Sequence, residues 1–171
     1  MKLTKWIAAL LAMICLLSLC ACTVVVDGVE GGENKENNEN TDTTIDLGAL
    51  KDKMIADLAI VDSVDVATDT LLDLYGIETA DVASSACFMT MDGVFPDEVI
   101  MIEAKDADAA KRVAEKLNAR LEDVKKQSES YDADNYALAQ KCSVKTKGVY
   151  VTLFLSPKYA EMTALFNEAA K

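Results

Sequence analysis

The feature that most constrains this chain is an abrupt change in what it can bury. Trp6 to Leu19 (WIAALLAMICLLSL) is uncharged and apolar, and apolar character continues to Val26 with only Ser18 and Thr23 as interruptions. Asp27 to Thr44 (DGVEGGENKENNENTDTT) then holds six acids, one Lys, and several Asn and Gly. A segment with so little apolar surface cannot offset the entropy of ordering, so it reads as a disordered spacer. Any hydrophobic core must therefore come from residues 46–171, enough for one ordinary domain. The reading divides the chain into a leader (1–21), a tether (22–45) and a single extracytoplasmic domain (46–171).

Lys2 and Lys5 precede the apolar run as a short positive n-region, and the run has the length of a signal peptide's h-region. Leu19-Cys20-Ala21-Cys22 follows and resembles the lipobox of bacterial lipoproteins. That resemblance implies a diacylglyceryl group on the Cys22 sulfur and cleavage after Ala21. Cys20 fits less well, because Leu19 would occupy the small-residue position. Two acyl chains hold a membrane stably where one does so only marginally. The apolar stretch to Val26 is also about the 20 residues a transmembrane helix needs, so an uncleaved signal anchor is the alternative. Either way, Lys2 and Lys5 keep the N-terminus in the cytoplasm and place the domain on the extracytoplasmic face. A flexible tether from Cys22 to Thr44 would reach roughly 25–30 Å. It lacks the Gly and terminal Glu spacing of a calcium loop.

Removing residues 1–21 takes two lysines and no acid, leaving 15 bases against 29 acids. That balance argues against nucleic acid, which is bound largely through Lys and Arg on phosphates. It also argues against basic attachment to anionic lipid. The chain has no histidine, so it has no His-based triad, His metal ligand or His general base. No cofactor or metal motif is visible.

Periodicity predicts an α+β domain. Leu47, Leu50, Met54, Ile55 and Leu58 mark a helix over 46–59, and a short helix from Thr68 or Asp69 to Tyr75 ends at Gly76 as a left-handed cap. Val82–Met91 and Glu98–Ala104 read as a hairpin around a loop containing Asp92, Gly93 and Pro96. A long helix from Asp106 to about Lys126 buries Ala110, Val113, Leu117, Leu121 and Val124. Tyr131 to Ala139 suits a short helix. Lys141–Thr146 and Val149–Leu155 form a second hairpin, and Ser156-Pro157 starts a last helix with a capping hydroxyl. The expected architecture is a four-stranded antiparallel sheet from two strand-strand-helix units, with one or two helices before them. Tyr75 and Cys87 in one unit, and Tyr131 and Cys142 in the other, suggest an internal duplication.

Cys87 and Cys142 are the domain's only cysteines. An extracytoplasmic address permits a disulfide between them, and buried free thiols fit equally well. Asp97 and Glu98 are the acids considered for a carboxylate-based cell-wall hydrolase. Adjacent strand residues point to opposite faces, so they read as loop-edge charges. Tyr131, Tyr136 and Tyr150 are candidate contact residues or core edge.

One combination of segments is recognisable: Leu-Tyr-Gly-Ile (Leu74 to Ile77), the Asp97-Glu98 strand, Tyr131 and Tyr136 five apart, and Gly-Val-Tyr-Val (Gly148 to Val151). With the lipobox and acidic linker, it resembles the Gram-positive lipoprotein family known only as domain of unknown function 4358. The resemblance spans roughly residues 45 to 170. It implies a domain type and a cell-surface address, and it supplies no catalytic or binding residues. The functional expectation is a non-enzymatic binding or interaction module, with an unknown extracytoplasmic protein, glycan or small molecule as partner. The alternatives are an accessory subunit of an envelope complex and the cell-wall hydrolase.

Overall fold

The computed structural model describes residues 44–91 and 97–171. The expected leader, Cys22 lipidation site, acidic tether and loop containing Asp92, Gly93 and Pro96 lie outside the described residues. In chain order the elements are α1 (Leu47–Asp57), β1 (Ser63–Val66), α2 (Leu71–Tyr75), β2 (Val82–Thr90), β3 (Glu98–Ala104), α3 (Ala107–Glu129), α4 (Ala133–Lys141), β4 (Lys145–Lys147), β5 (Tyr150–Leu155) and α5 (Tyr159–Ala169). Single 3-10 turns precede α2 and β2. No helix among the described residues is long and apolar enough to cross a membrane.

The five strands form one antiparallel sheet in the order β1-β2-β3-β5-β4. Helices cover both faces. Strand β3 is central, and its Val99, Ile100, Met101 and Ile102 are all fully buried. That explains its unbroken apolar run, because alternation appears only where one face of a strand meets water. On one face Ile100, Ile102, Val151, Leu153 and Cys87 pack against α2, α3 and α4, chiefly through Leu71, Val113, Leu117 and Leu121. On the other, Phe88, Val99, Met101 and Phe154 meet Leu50 and Met54 of α1 and Met162 and Phe166 of α5. Phe154 and Phe166 cross edge-to-face with ring centroids 6.5 Å apart, a favoured aromatic geometry.

The expected sheet is corrected in two respects. It has five strands, the fifth being β1 on one edge, where no strand is expected from the pattern. Asp62 and Asp65 break its apolar alternation, and Val64 is exposed. The internal duplication also fails. Strands β3 and β5 are antiparallel neighbours, so a two-fold axis relating β2-β3 to β5-β4 would stand perpendicular to the sheet. Such an axis keeps each helix on its own face, yet α3 and α5 lie on opposite faces. Strand β4 is also only three residues long, where the pattern predicts six.

Local chemistry sets the boundaries. Asp46, Asp106 and Asp132 each accept a hydrogen bond from the backbone N–H three residues on, capping α1, α3 and α4. Gly76 ends α2 with φ of 66°, in the left-handed region glycine tolerates. The Ile45 N–H donates to the buried Tyr150 hydroxyl at 3.0 Å, fastening the start of the domain to β5.

Candidate functional site

The residues singled out from sequence are not assembled into one centre. Cys87 and Cys142 are both buried free thiols, so the disulfide considered from the sequence is not formed. The Cys87 S–H donates to the Met101 carbonyl and the Cys142 S–H to the Leu138 carbonyl. Burial pushes the Cys87 thiol up to about 11 and raises Cys142 as well. A nucleophilic cysteine needs the thiolate, so this environment suits packing rather than covalent chemistry. Tyr131 is 90% exposed, Tyr136 is half-buried, and Tyr150 is buried against the start of α1, which removes it as a surface contact.

Glu98 is not the loop-edge charge that its position suggests. It is 3% exposed, on the face of β3 covered by α3, and both its oxygens accept from the Arg120 guanidinium. The Arg120 Nε–Oε2 distance is 3.1 Å. The same bonds raise Arg120 above its ordinary value. Tyr75 lies nearby, and burial, followed by the Glu98 charge, pushes its phenol well above the usual range. With both oxygens engaged, Glu98 is poorly placed to hand a proton to a leaving group, as a glycosidase acid must. Asp97 points elsewhere: its Oδ2 accepts from the Ser156 hydroxyl at 2.7 Å. Ser156 Oγ in turn accepts from the Lys158 N–H at 3.1 Å. Thus Ser156 fixes the turn into α5 but does not cap it: the N-cap is Lys158, two residues later than expected, and α5 begins at Tyr159.

The Asp97–Ser156 bond ties the start of β3 to that turn, and helix α4 faces the junction. Between them lies an open cleft of about 900 Å³. Its charged lining residues are Asp97, Asp132, Asp134 and Lys141. Much of the remaining lining is less polar: Ala137, Leu138, Pro157, Tyr159 and Ala160. The Tyr159 ring is held in place by a 2.8 Å hydrogen bond between its hydroxyl and Ser143 Oγ. Asp132 is fixed as the cap of α4, accepting from the Asn135 N–H at 3.0 Å.

Asn135 is the unusual residue. Its side-chain nitrogen is buried and, among the described residues, has no hydrogen-bond partner, as is also true of the Thr152 hydroxyl. A buried amide donor without a partner costs about 1–3 kcal/mol, so such a group calls for an explanation, an ordered water being the ordinary one. Asn135 borders both the open cleft and a recess of about 90 Å³ behind it, which Glu98, Arg120 and Gln127 also line. Among the described residues, no three acids or cysteines are grouped to hold a metal ion. The arrangement can therefore receive an organic molecule through dispersed polar contacts beside an apolar wall, which is the usual character of a ligand cleft.

Sequence reasoning missed Asp132, Asn135, Lys141 and Tyr159. Asp132 and Lys141 carry ordinary helix-end signals, and nothing local says that α4 turns them toward Asp97, thirty-five or more residues away in the chain.

A family model described as Domain of unknown function (DUF4358) matches residues 56–156. The matched span runs from the end of α1 through β5. It includes Asp97, Asp132, Asn135, Lys141 and Ser156, and it stops before Pro157 and Tyr159 on the opposite wall. No curated protein and no solved structure matches the chain.

Proposed function

The chain belongs to the family described as Domain of unknown function (DUF4358), and on that premise we propose that it is a lipid-anchored extracytoplasmic module that binds a ligand in the α4 cleft without transforming it. The observation that carries the binding reading is the preformed cleft of about 900 Å³, where charged side chains stand beside an apolar wall. The cleft is fixed from both sides by the Asp97–Ser156 and Ser143–Tyr159 hydrogen bonds, so it does not have to be built by the ligand. Preorganisation of this kind lowers the entropic cost of binding. The anchor and the address rest on the leader, with Cys22 as the lipidated residue.

Binding without chemistry is favoured because the candidate reactive groups are already committed. Glu98 is engaged by Arg120, Asp97 by Ser156, and Asp132 by the α4 backbone, while Cys87 is held as a buried thiol. A role as subunit of an envelope assembly is the second reading. It would draw on Val61, Val64 and Met91, apolar and exposed around the β1 edge, where the Met91 N–H donates to the Asp62 carbonyl.

Hydrogen exchange tests the binding reading. The full-length protein in detergent is incubated with fractionated extracts of the producing cell's envelope. An active fraction is expected to slow exchange in α4 (Ala133–Lys141) and in the first turn of α5. If every fraction leaves α4 unchanged while the β1 edge becomes protected, the assembly reading replaces this one.

A further inference from the structure

The sheet has two open edges, and they are guarded differently. Strand β4 carries Lys145 and Lys147, both exposed, and lysine is a common guard against association between strands. Strand β1 instead carries Val64, 52% exposed, with Met91 exposed beside it. The Met91 N–H donates to the carbonyl of Asp62, which continues the register of the Val64–Met89 pair. Hydrogen-bonding direction alternates along an antiparallel strand, so Asp62, Val64 and Val66 bond inward to β2. The N–H and C=O groups of Ser63 and Asp65 therefore face out from the open edge. Acids on a short strand also protect an edge, and Asp65 would do so against an acidic neighbour. Its charge, however, is already offset by Lys51 at 2.7 Å.

We propose that β1 pairs with β1 of a second copy, antiparallel about a two-fold axis through Val64, joining two five-stranded sheets into one. The residues select this register. Centring on Asp65 would set two carboxylates directly opposite each other, and centring on Ser63 would engage only that residue's groups within the strand. Centring on Val64 places Ser63 opposite the partner's Asp65 on both sides of the axis, so every outward N–H and C=O of Ser63 and Asp65 is used. The Ser63 hydroxyl then donates to the partner's Asp65, and Asp62 stands opposite the partner's Val66. No acid directly faces an acid. The two Val64 side chains meet at a non-hydrogen-bonded position, where facing residues come closest. They share the face of Val66, which packs against the α3 core. Pairing β1 with the partner's β4 would oppose acids to lysines, but that head-to-tail contact does not close and runs on into a filament. The Lys147 ammonium is also already donated to the Ala170 carbonyl. The β1 contact is small and belongs to the weak class, so it gains from chains being held together on one membrane. Its geometry is independent of the cleft, and only its strength rests on the proposed anchor.

Cysteine cross-linking in the producing cell's membranes tests the register. Facing residues at a non-hydrogen-bonded position have Cα atoms about 4.5 Å apart, within reach of a disulfide. After mild oxidation, full-length Val64→Cys is expected to give a non-reduced band of twice the mass. Met91→Cys changes a more exposed residue one strand further from the axis and is expected to stay monomeric. The wild type, whose Cys87 and Cys142 are buried, sets the background. Equal cross-linking of the two variants marks random collision and overturns the proposal. Absence of the doubled band from Val64→Cys overturns it as well. Fractionation of the same cells reads the anchor separately. If the chain proves not to be membrane-bound, the two variants are compared in the concentrated soluble protein, and the same outcomes decide.

Discussion

At the scale of single residues, the most consequential interaction is Glu98 with Arg120. The carboxylate is almost completely buried, whereas the guanidinium side chain keeps 31% of its exposure. Burying a charge is costly, and the pair's mutual attraction offsets that cost only while both members are present. Arg120→Ala would leave Glu98 among Tyr75, Val124 and Leu155 with no cation. We expect a loss of about 3 kcal/mol, at the lower end for a buried pair because water reaches Arg120. The double variant Glu98→Leu with Arg120→Met should recover most of it, since neither charge then needs a partner. Denaturant unfolding of the three proteins measures this. If Arg120→Ala costs no more than a surface substitution, the pair is not the constraint the geometry indicates. A carboxylate held this way also explains why an adjacent Asp-Glu dipeptide, which invites a catalytic reading, is divided between two tasks. Asp97 faces the cleft and the α5 turn, and Glu98 belongs to the core.

At the scale of elements, helix ends decide where the chain turns, and one of them uses an unfavourable residue. Helix α1 closes with Ala59 at φ 49°, the Ala59 N–H reaching the Ala56 carbonyl and the Ile60 N–H reaching Ile55. This is the Schellman pattern, in which glycine is the usual left-handed residue. An L-residue pays roughly 1 kcal/mol there. Ala59→Gly is therefore expected to stabilise the domain by a few tenths to about 1 kcal/mol, the relief of strain being partly offset by glycine's freedom in the unfolded chain. A raised unfolding midpoint checks it, and an unchanged or lowered one would show that Ala59 is not strained. The same turn explains what sequence could and could not reveal. Helices α1, α3 and α5 were legible because their apolar stripes repeat over three or more turns. Gly76 announced the end of α2 because only glycine signals φ above zero in advance. Ala59 and Asp62 adopt such φ values without that signal, so the bend that delivers β1 to the sheet edge was invisible. Strand β4 was over-read because Cys142, Ser143 and Val144 are β-compatible residues that serve instead as the link from α4, with Ser143 bonded to Tyr159.

At the scale of the whole molecule, the balance of apolar and polar segments predicted one α+β domain, and the sheet buried on both faces follows from the run Val99–Ile102. The cleft was not predictable in the same way. Its members come from β3, α4 and the turn after β5, and each carries an ordinary local explanation: a cap, a helix-end charge, a turn proline. Only the closing of α4 onto the sheet edge makes them neighbours. This separation between what organises the domain and the leader proposed to attach it to a membrane yields the last prediction. Helix α1 is seated by Leu47, Leu50 and Met54 in the core, capped by Asp46, and preceded by the Ile45–Tyr150 hydrogen bond. Those contacts begin more than twenty residues after Cys22. Cys22→Ala should therefore abolish incorporation of a labelled fatty acid and release the protein from the membrane, or leave an uncleaved precursor. In either case the domain's unfolding midpoint should stay unchanged. Electrophoretic size, detergent-phase partitioning and thermal unfolding together read this out. A variant that keeps wild-type size and membrane hold would instead establish the apolar run to Val26 as a signal anchor. The domain would still face outward, because the two lysines that orient the leader are the same in both cases.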